Sequence, residues 1–149
     1  MAIVIEFPAD AYEAIVAHAR ENSPEEACGV LGGERREVER TADEGEIEGS
    51  TSRVRSVHRA ANVARSSRRT YLIDPEEQLT IMEDIEARGK EIVGFYHSHP
   101  TGPACPSGVD ERRATWKGYS YVICLPSVPF VGSWRWNGET FSPEIVSLR

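Results

Sequence analysis

Residues 91–110 read EIVGFYHSHPTGPACPSGVD, and the class of fold turns on them. Glu91 to Ser98 are dense in β-branched and aromatic side chains, the composition of a strand. Pro100 removes a ladder donor and ends it. After a loop rich in proline and glycine, Ser107 stands three residues before Asp110. That spacing fits an N-cap and an N3 residue opening a helix that runs to about Trp116.

A helix is predicted immediately upstream. Asp74 is its N-cap, Pro75 its N1 residue and Glu77 its N3 residue; Leu79, Met82 and Ile85 form its apolar stripe, and Gly89 closes it. Tyr119 to Leu125 reads as a strand, and Asn137-Gly138 between short alternating runs predicts a tight hairpin. At the other end, Ile3 to Phe7 reads as a strand stopped by Pro8, followed by helical spacing of Tyr12, Ile15, Val16 and Ala19 as far as Asn22. Ala27 to Gly33 reads as a buried strand punctuated by glycine. Short strands are expected at Val54 to Ala60 and Tyr71 to Ile73. The polar, acidic stretch at about 34–53 reads as a long hairpin or a mobile loop. Hairpins mixed with helical crossovers predict an α/β sandwich around a mixed sheet.

The chain has 149 residues, so one domain spanning 1–149 is expected. A net charge of −7 with no basic stripe argues against nucleic acid as partner. No apolar run is long enough to span a bilayer, and residues 1–16 lack the pattern of a signal peptide, which sets a cytoplasmic expectation. Cys28, Cys105 and Cys124 are odd in number and unpaired in spacing, so no disulfide framework or cysteine-built zinc site is expected.

Alternate strand residues share a face, so His97 and His99 would project together, roughly 6–7 Å apart along the strand. Two imidazoles so placed can converge on one ion. Taken alone, Ser107 to Asp110 is as well explained by a capping box, and two histidines at a strand end by polar surface. Taken jointly, His97, His99 and Asp110 make a nitrogen and oxygen donor set of the kind a catalytic zinc uses, with a fourth position left for water. Hydrolysis then requires a proton-transfer group, and no HExxH helix supplies one. Glu25 and Glu26, at the mouth of the glycine-containing strand, are the candidates.

Glu26, His97-Ser98-His99-Pro100, Ser107 and Asp110 together resemble the signature of the JAMM (MPN-plus) metalloproteases, a glutamate followed by HxHPx(6)SxxD. The stretch PEEACGVLGG resembles the family's N-terminal motif. The likeness covers the chain apart from the acidic segment, and within the family it is greatest to the archaeal desampylases. The resemblance implies a single MPN domain with a cytidine-deaminase-like sandwich fold, and one zinc ion held by His97, His99 and Asp110. It implies Glu26, rather than Glu25, as the base that moves the proton, and Ser107 as the residue that stabilises the oxyanion. It also implies removal of ubiquitin-like small archaeal modifier proteins from lysine side chains or linear fusions.

Two other readings remain open at this level. One is processing of the C-terminus of a ubiquitin-like sulfur carrier in cysteine or cofactor biosynthesis; the other is a non-catalytic MPN scaffold, which would lack the ligands this chain has. Arg65, Arg68 and Arg69 form a basic group able to grip an acidic partner, or a solvated loop. His18 and His58 have no partners at ligand spacing and read as structural or surface residues. Trp134 and Trp136 share a strand face and are expected in a core or an interface. Cys105, between the ligands, is a candidate for oxidation or an extra metal.

Overall fold

A computed structural model describes residues 2–39 and 47–149. Among these residues eight strands form one mixed sheet, in the order Phe141–Pro143, Phe130–Trp136, Ser120–Leu125, Glu91–Ser98, Cys28–Glu39, Ile47–Ala60, Ala2–Phe7 and Ile145–Leu148. The first strand, β1 (Ala2–Phe7), runs into Pro8, and helix α1 (Ala9–Asn22) follows. Strands β2 (Cys28–Glu39) and β3 (Ile47–Ala60) pair antiparallel along their length. The segment at about 34–53 is therefore a hairpin for the most part; its residues 40–46 lie outside the described ones.

Helix α2 (Pro75–Ala87) begins where its signals place it: the Asp74 carboxylate accepts from the backbone N–H of Glu76 and Glu77 at 3.1 and 3.2 Å. A cap of this kind contributes about 1 kcal/mol. Its buried stripe differs from the expected one. Leu79 is 59% exposed, while Ile81, Met82 and Ile85 pack on the sheet. Gly32 permits that contact, because a Cβ there would lie 2.9 Å from Ile85 Cγ2. The expected strand at Tyr71 to Ile73 is reduced to a single bridge between Asn62 and Ile73.

Strand β4 (Glu91–Ser98) lies centrally, antiparallel to β2 and parallel to β5 (Ser120–Leu125). Gly94 lets β4 and β5 meet, since any Cβ would collide with the Ser120 carbonyl. Between them sits α3 (Gly108–Arg113), which stops short of the expected Trp116, with Ala114 as its extended C-cap. The chain ends with β6 (Phe130–Trp136), β7 (Phe141–Pro143) and β8 (Ile145–Leu148). The β6–β7 turn holds Asn137 and Gly138, whose φ of +102° needs a glycine.

Each face of the sheet carries its own core. On one, α1 covers Ile5, Leu31, Val54, Val93 and Val122, and His18 Nδ1 lies 2.7 Å from the Tyr96 hydroxyl. On the other, α2 and the 71–73 segment cover Cys28, Val30, Phe95 and Tyr121. Trp136 is buried and Trp134 half-buried. Burial pushes the Cys28 and Cys124 thiols up to about 12 and about 11, whereas Cys105 is exposed. No described helix is long and apolar enough to cross a membrane.

Candidate metal centre

His97 is the seventh residue of β4 and lies on the same sheet face as Phe95, toward α2 and α3. The strand pairing continues one residue past its end, since the His99 N–H donates to the Cys124 carbonyl at 2.9 Å. His99 therefore shares the face of His97. In the register of β2 against β4, Cys28 lies opposite His97. Two residues back along the antiparallel partner, Glu26 comes level with His99 and on the same face. Ala27 and Ser98, between them, are tied by the Ser98 N–H to the Ala27 carbonyl at 3.0 Å and by the Ala27 N–H to Ser98 Oγ at 2.8 Å.

Helix α3 supplies the last side chain. Ser107 Oγ accepts the Asp110 N–H at 3.0 Å, and Asp110 Oδ2 accepts the Ser107 N–H at 2.8 Å. This reciprocal cap turns the Asp110 carboxylate back toward β4. His97 Nε2, His99 Nε2 and Asp110 Oδ2 then form a triangle with edges of 3.1, 3.2 and 3.1 Å. All three side chains are buried, and so is Glu26 at 3% exposure, whereas Glu25 is exposed.

Proton counting decides what such a triangle can hold. His99 Nδ1 lies 2.9 Å from the Pro103 carbonyl, which requires a proton on Nδ1 and leaves a lone pair on Nε2 in the neutral ring. Burial disfavours protonation of His97. Burial alone would raise the Asp110 carboxyl; the facing imidazoles and the Ser107 N–H hold it well below the usual carboxylate range. Burial opposes a proton on His99 as well, but the Asp110 carboxylate and the Pro103 carbonyl outweigh it and raise the His99 pKa. With both rings neutral and protonated on Nδ1, three lone-pair atoms converge on one point. A tetrahedral zinc with bonds of ~2.0–2.1 Å has ligand edges of ~3.3 Å, close to those here. The donor set fits a zinc ion.

A second grouping of donors also lies in the site, because Glu26, His97 and His99 can bring one atom each within 4.8 Å of one another. Asp110 makes the tighter contacts with both imidazoles. Glu26 Oε1 is buried without a hydrogen-bond partner. Its carboxyl is pushed up to about 7, first by burial, with the Asp110 charge adding to it and His99 opposing. A carboxyl so placed exchanges protons near neutral pH.

Residues 8–137 match the family model described as prokaryotic homologues of the JAB domain. The chain belongs to that family. As a JAB-domain protein it is 38% identical over 144 residues to a desampylase of Haloferax volcanii, covering 94% of this chain and 93% of that one. It is 36% identical over 120 residues to a CysO-cysteine peptidase of Mycobacterium tuberculosis, covering 80% and 72% respectively. A solution structure of a Desulfitobacterium hafniense protein superposes with a TM-score of 0.79 at 32% identity, covering 97% of this chain and 92% of that one.

Two residues of this JAB-domain centre carry no motif signal. The Tyr71 ring stacks on His97, centroids 4.4 Å apart. Asn62 binds five backbone groups: its Nδ2 donates to the carbonyls of Glu26, Ser67 and Thr70, and its Oδ1 accepts from Ala64 and Leu72. An isolated asparagine between Ala61 and Val63 gives no hint of that. Cys105, though in the loop between His99 and Asp110, is not among the grouped metal donors.

Proposed function

We propose that this protein is a zinc-dependent isopeptidase that releases ubiquitin-like modifier proteins from lysine conjugates or linear fusions, in the manner of the desampylase it resembles. One observation carries the reading: three buried donors converge within 3.2 Å of one another beside a buried carboxyl with an unpartnered oxygen. His97, His99 and Asp110 would hold the zinc, one ion per chain. When bound, zinc polarises the carbonyl and lowers the pKa of water toward about 7.

Glu26 takes a proton from the attacking water as its oxygen bonds to the carbonyl carbon. The C–N bond then breaks, and Glu26 passes the proton to the departing amine, so the carboxyl ends in the state it began. Ser107 spends only its acceptor capacity on the Asp110 N–H. Its hydroxyl proton is free to donate to the developing oxyanion.

The likeness to a CysO-cysteine peptidase supports a second substrate class, the C-terminus of a sulfur-carrier relative of ubiquitin. To test both, zinc-loaded protein is incubated with modifier–lysine conjugates and with modifier–amino acid adducts, and the released termini are identified by mass spectrometry. A new modifier C-terminus at the joint is expected. Intact substrates of both kinds, with zinc bound, would overturn the hydrolase reading.

A further inference from the structure

Two hollows with different linings border the donor triangle. A cavity of about 130 Å³ is bordered by Asp110 and walled by Tyr71, Phe95, Trp116 and Tyr121. A second, of about 180 Å³, is bordered by Glu26, His99, Ser107 and Pro103, and by the arginines Arg68 and Arg69. Glu26 lines the second and not the first; Asp110 lines the first and not the second.

Proton transfer assigns the two sides. The residue that returns a proton to the leaving nitrogen must lie within hydrogen-bond reach of it, directly or through one water. The nitrogen and whatever it carries therefore lie on the Glu26 side. The acyl chain continues from the other side of the scissile carbon, into the aromatic cavity beside Asp110. The second cavity has room for about six waters at ~30 Å³ each, a space on the scale of an amino acid.

The arginine loop is built onto Glu26. The Glu26 N–H donates to the Ser67 carbonyl at 2.7 Å, and Asn62 Nδ2 bonds the carbonyls of both residues. Arg69 and Thr70 N–H groups close the turn on the Ser66 carbonyl. Among the described residues neither Arg68 nor Arg69 joins an ion pair. Two unpaired guanidinium groups at the mouth of this hollow, on a chain of net charge −7, are a local attraction for an anion. The Glu26 oxygen inside is reserved for the nitrogen.

We infer that the cavity beside Glu26 receives the leaving group, and that Arg68 and Arg69 select leaving groups with a carboxylate close to the released amine. That carboxylate is either the terminus of a single amino acid or an acidic side chain beside a conjugated lysine. The inference rests on the hydrolase reading above.

The test uses one modifier tail in two matched pairs of substrates. In the first pair it is joined to an amino acid with a free carboxylate or with a carboxamide. In the second it is joined to a lysine flanked by Glu or by Gln. The kcat/KM ratio of acid to amide is measured for zinc-loaded wild type, for Arg68→Ala/Arg69→Ala and for Arg68→Lys/Arg69→Lys. Wild type is expected to prefer the acid by about tenfold at low salt, as a charge-assisted contact gives. The ratio should fall toward one in the alanine pair and persist in the lysine pair. A preference in the first pair alone identifies the terminal carboxylate as the source; in the second alone, the acidic flank. Equal ratios in wild type and the alanine variant overturn the inference while leaving the hydrolase intact. Absence of cleavage with every substrate overturns both.

Discussion

Ser107 and Asp110 each bind the other's backbone, and the oxygen of Asp110 that caps Ser107 is the one lying 3.1–3.2 Å from both imidazoles. The start of α3 and the third corner of the donor triangle are thus a single atom. A helix cap here also positions a corner of the donor triangle.

Ser107→Ala removes the cap acceptor at a cost of about 1 kcal/mol, which lowers Tm by roughly 2–4 °C in a domain of this size. Loss of an oxyanion donor costs a further factor of about 10²–10³ in kcat. Ser107→Gly, which costs an N-cap only a few tenths of a kcal/mol and offers no side-chain donor, should recover most of the Tm without restoring kcat. Thermal melts beside steady-state rates separate the roles; an unaltered kcat in Ser107→Ala would reduce Ser107 to a cap.

Substitution of the donors distinguishes ligand from base. In a chelator competition, Asp110→Asn should weaken zinc binding by more than the ~10–100-fold typical of outer-shell changes. Glu26→Ala should retain zinc and lose cleavage. Zinc loss from Glu26→Ala with retention in Asp110→Asn would transfer the third ligand to Glu26.

Asn62→Ala removes a hydrogen bond from three carbonyls and two N–H groups, of which the Ser67 carbonyl keeps the Glu26 N–H. Destabilisation of about 1–3 kcal/mol is expected from urea titration. Because Glu26 and the 67–70 segment lose their common anchor, kcat should drop in protein that still binds zinc. Full activity in a folded Asn62→Ala variant would show that the anchor is dispensable.

His18 should contribute a pH dependence to stability. Burial lowers its pKa, with Arg59 adding and Glu21 opposing. The unfolded state therefore takes up the proton first, and stability falls as pH drops below about 6.5 toward the lower folded value. Urea midpoints at pH 7.5 and 5.5 should differ more in wild type than in His18→Gln, since His58 is shifted in the same direction and remains in both. Equal differences would remove His18 from the account.

Local signals marked the elements whose ends are chemical. Pro8, the Asp74-Pro75 cap and Asn137-Gly138 each act within a few residues of themselves, and those breaks stand where they were expected. The stripe of α2 was not so legible. Leu79 has helical spacing to Met82 and Ile85, but the face that packs is set by where β2 lies, with Gly32 opening the space under Ile85. Tyr71 to Ile73 has strand composition and only the Asn62 bridge to pair with, because pairing needs a neighbour that composition does not provide.

His97, His99, Ser107 and Asp110 stand within fourteen residues, so strand periodicity and a capping box already bring them close. A strand end, a helix start and the donors between them are therefore local features, legible from residue order alone. The rest depends on contacts between segments remote in the chain. Glu26 reaches His99 through the register of two antiparallel strands, in which a slip of one residue would turn its side chain to the opposite face. The same pairing buries Glu26 and leaves Glu25 in solvent, and it is burial that raises the Glu26 carboxyl to about 7. Asn62 and Tyr71 acquire their contacts only when the chain between β3 and α2 folds over that face, since each depends on neighbours remote in the chain.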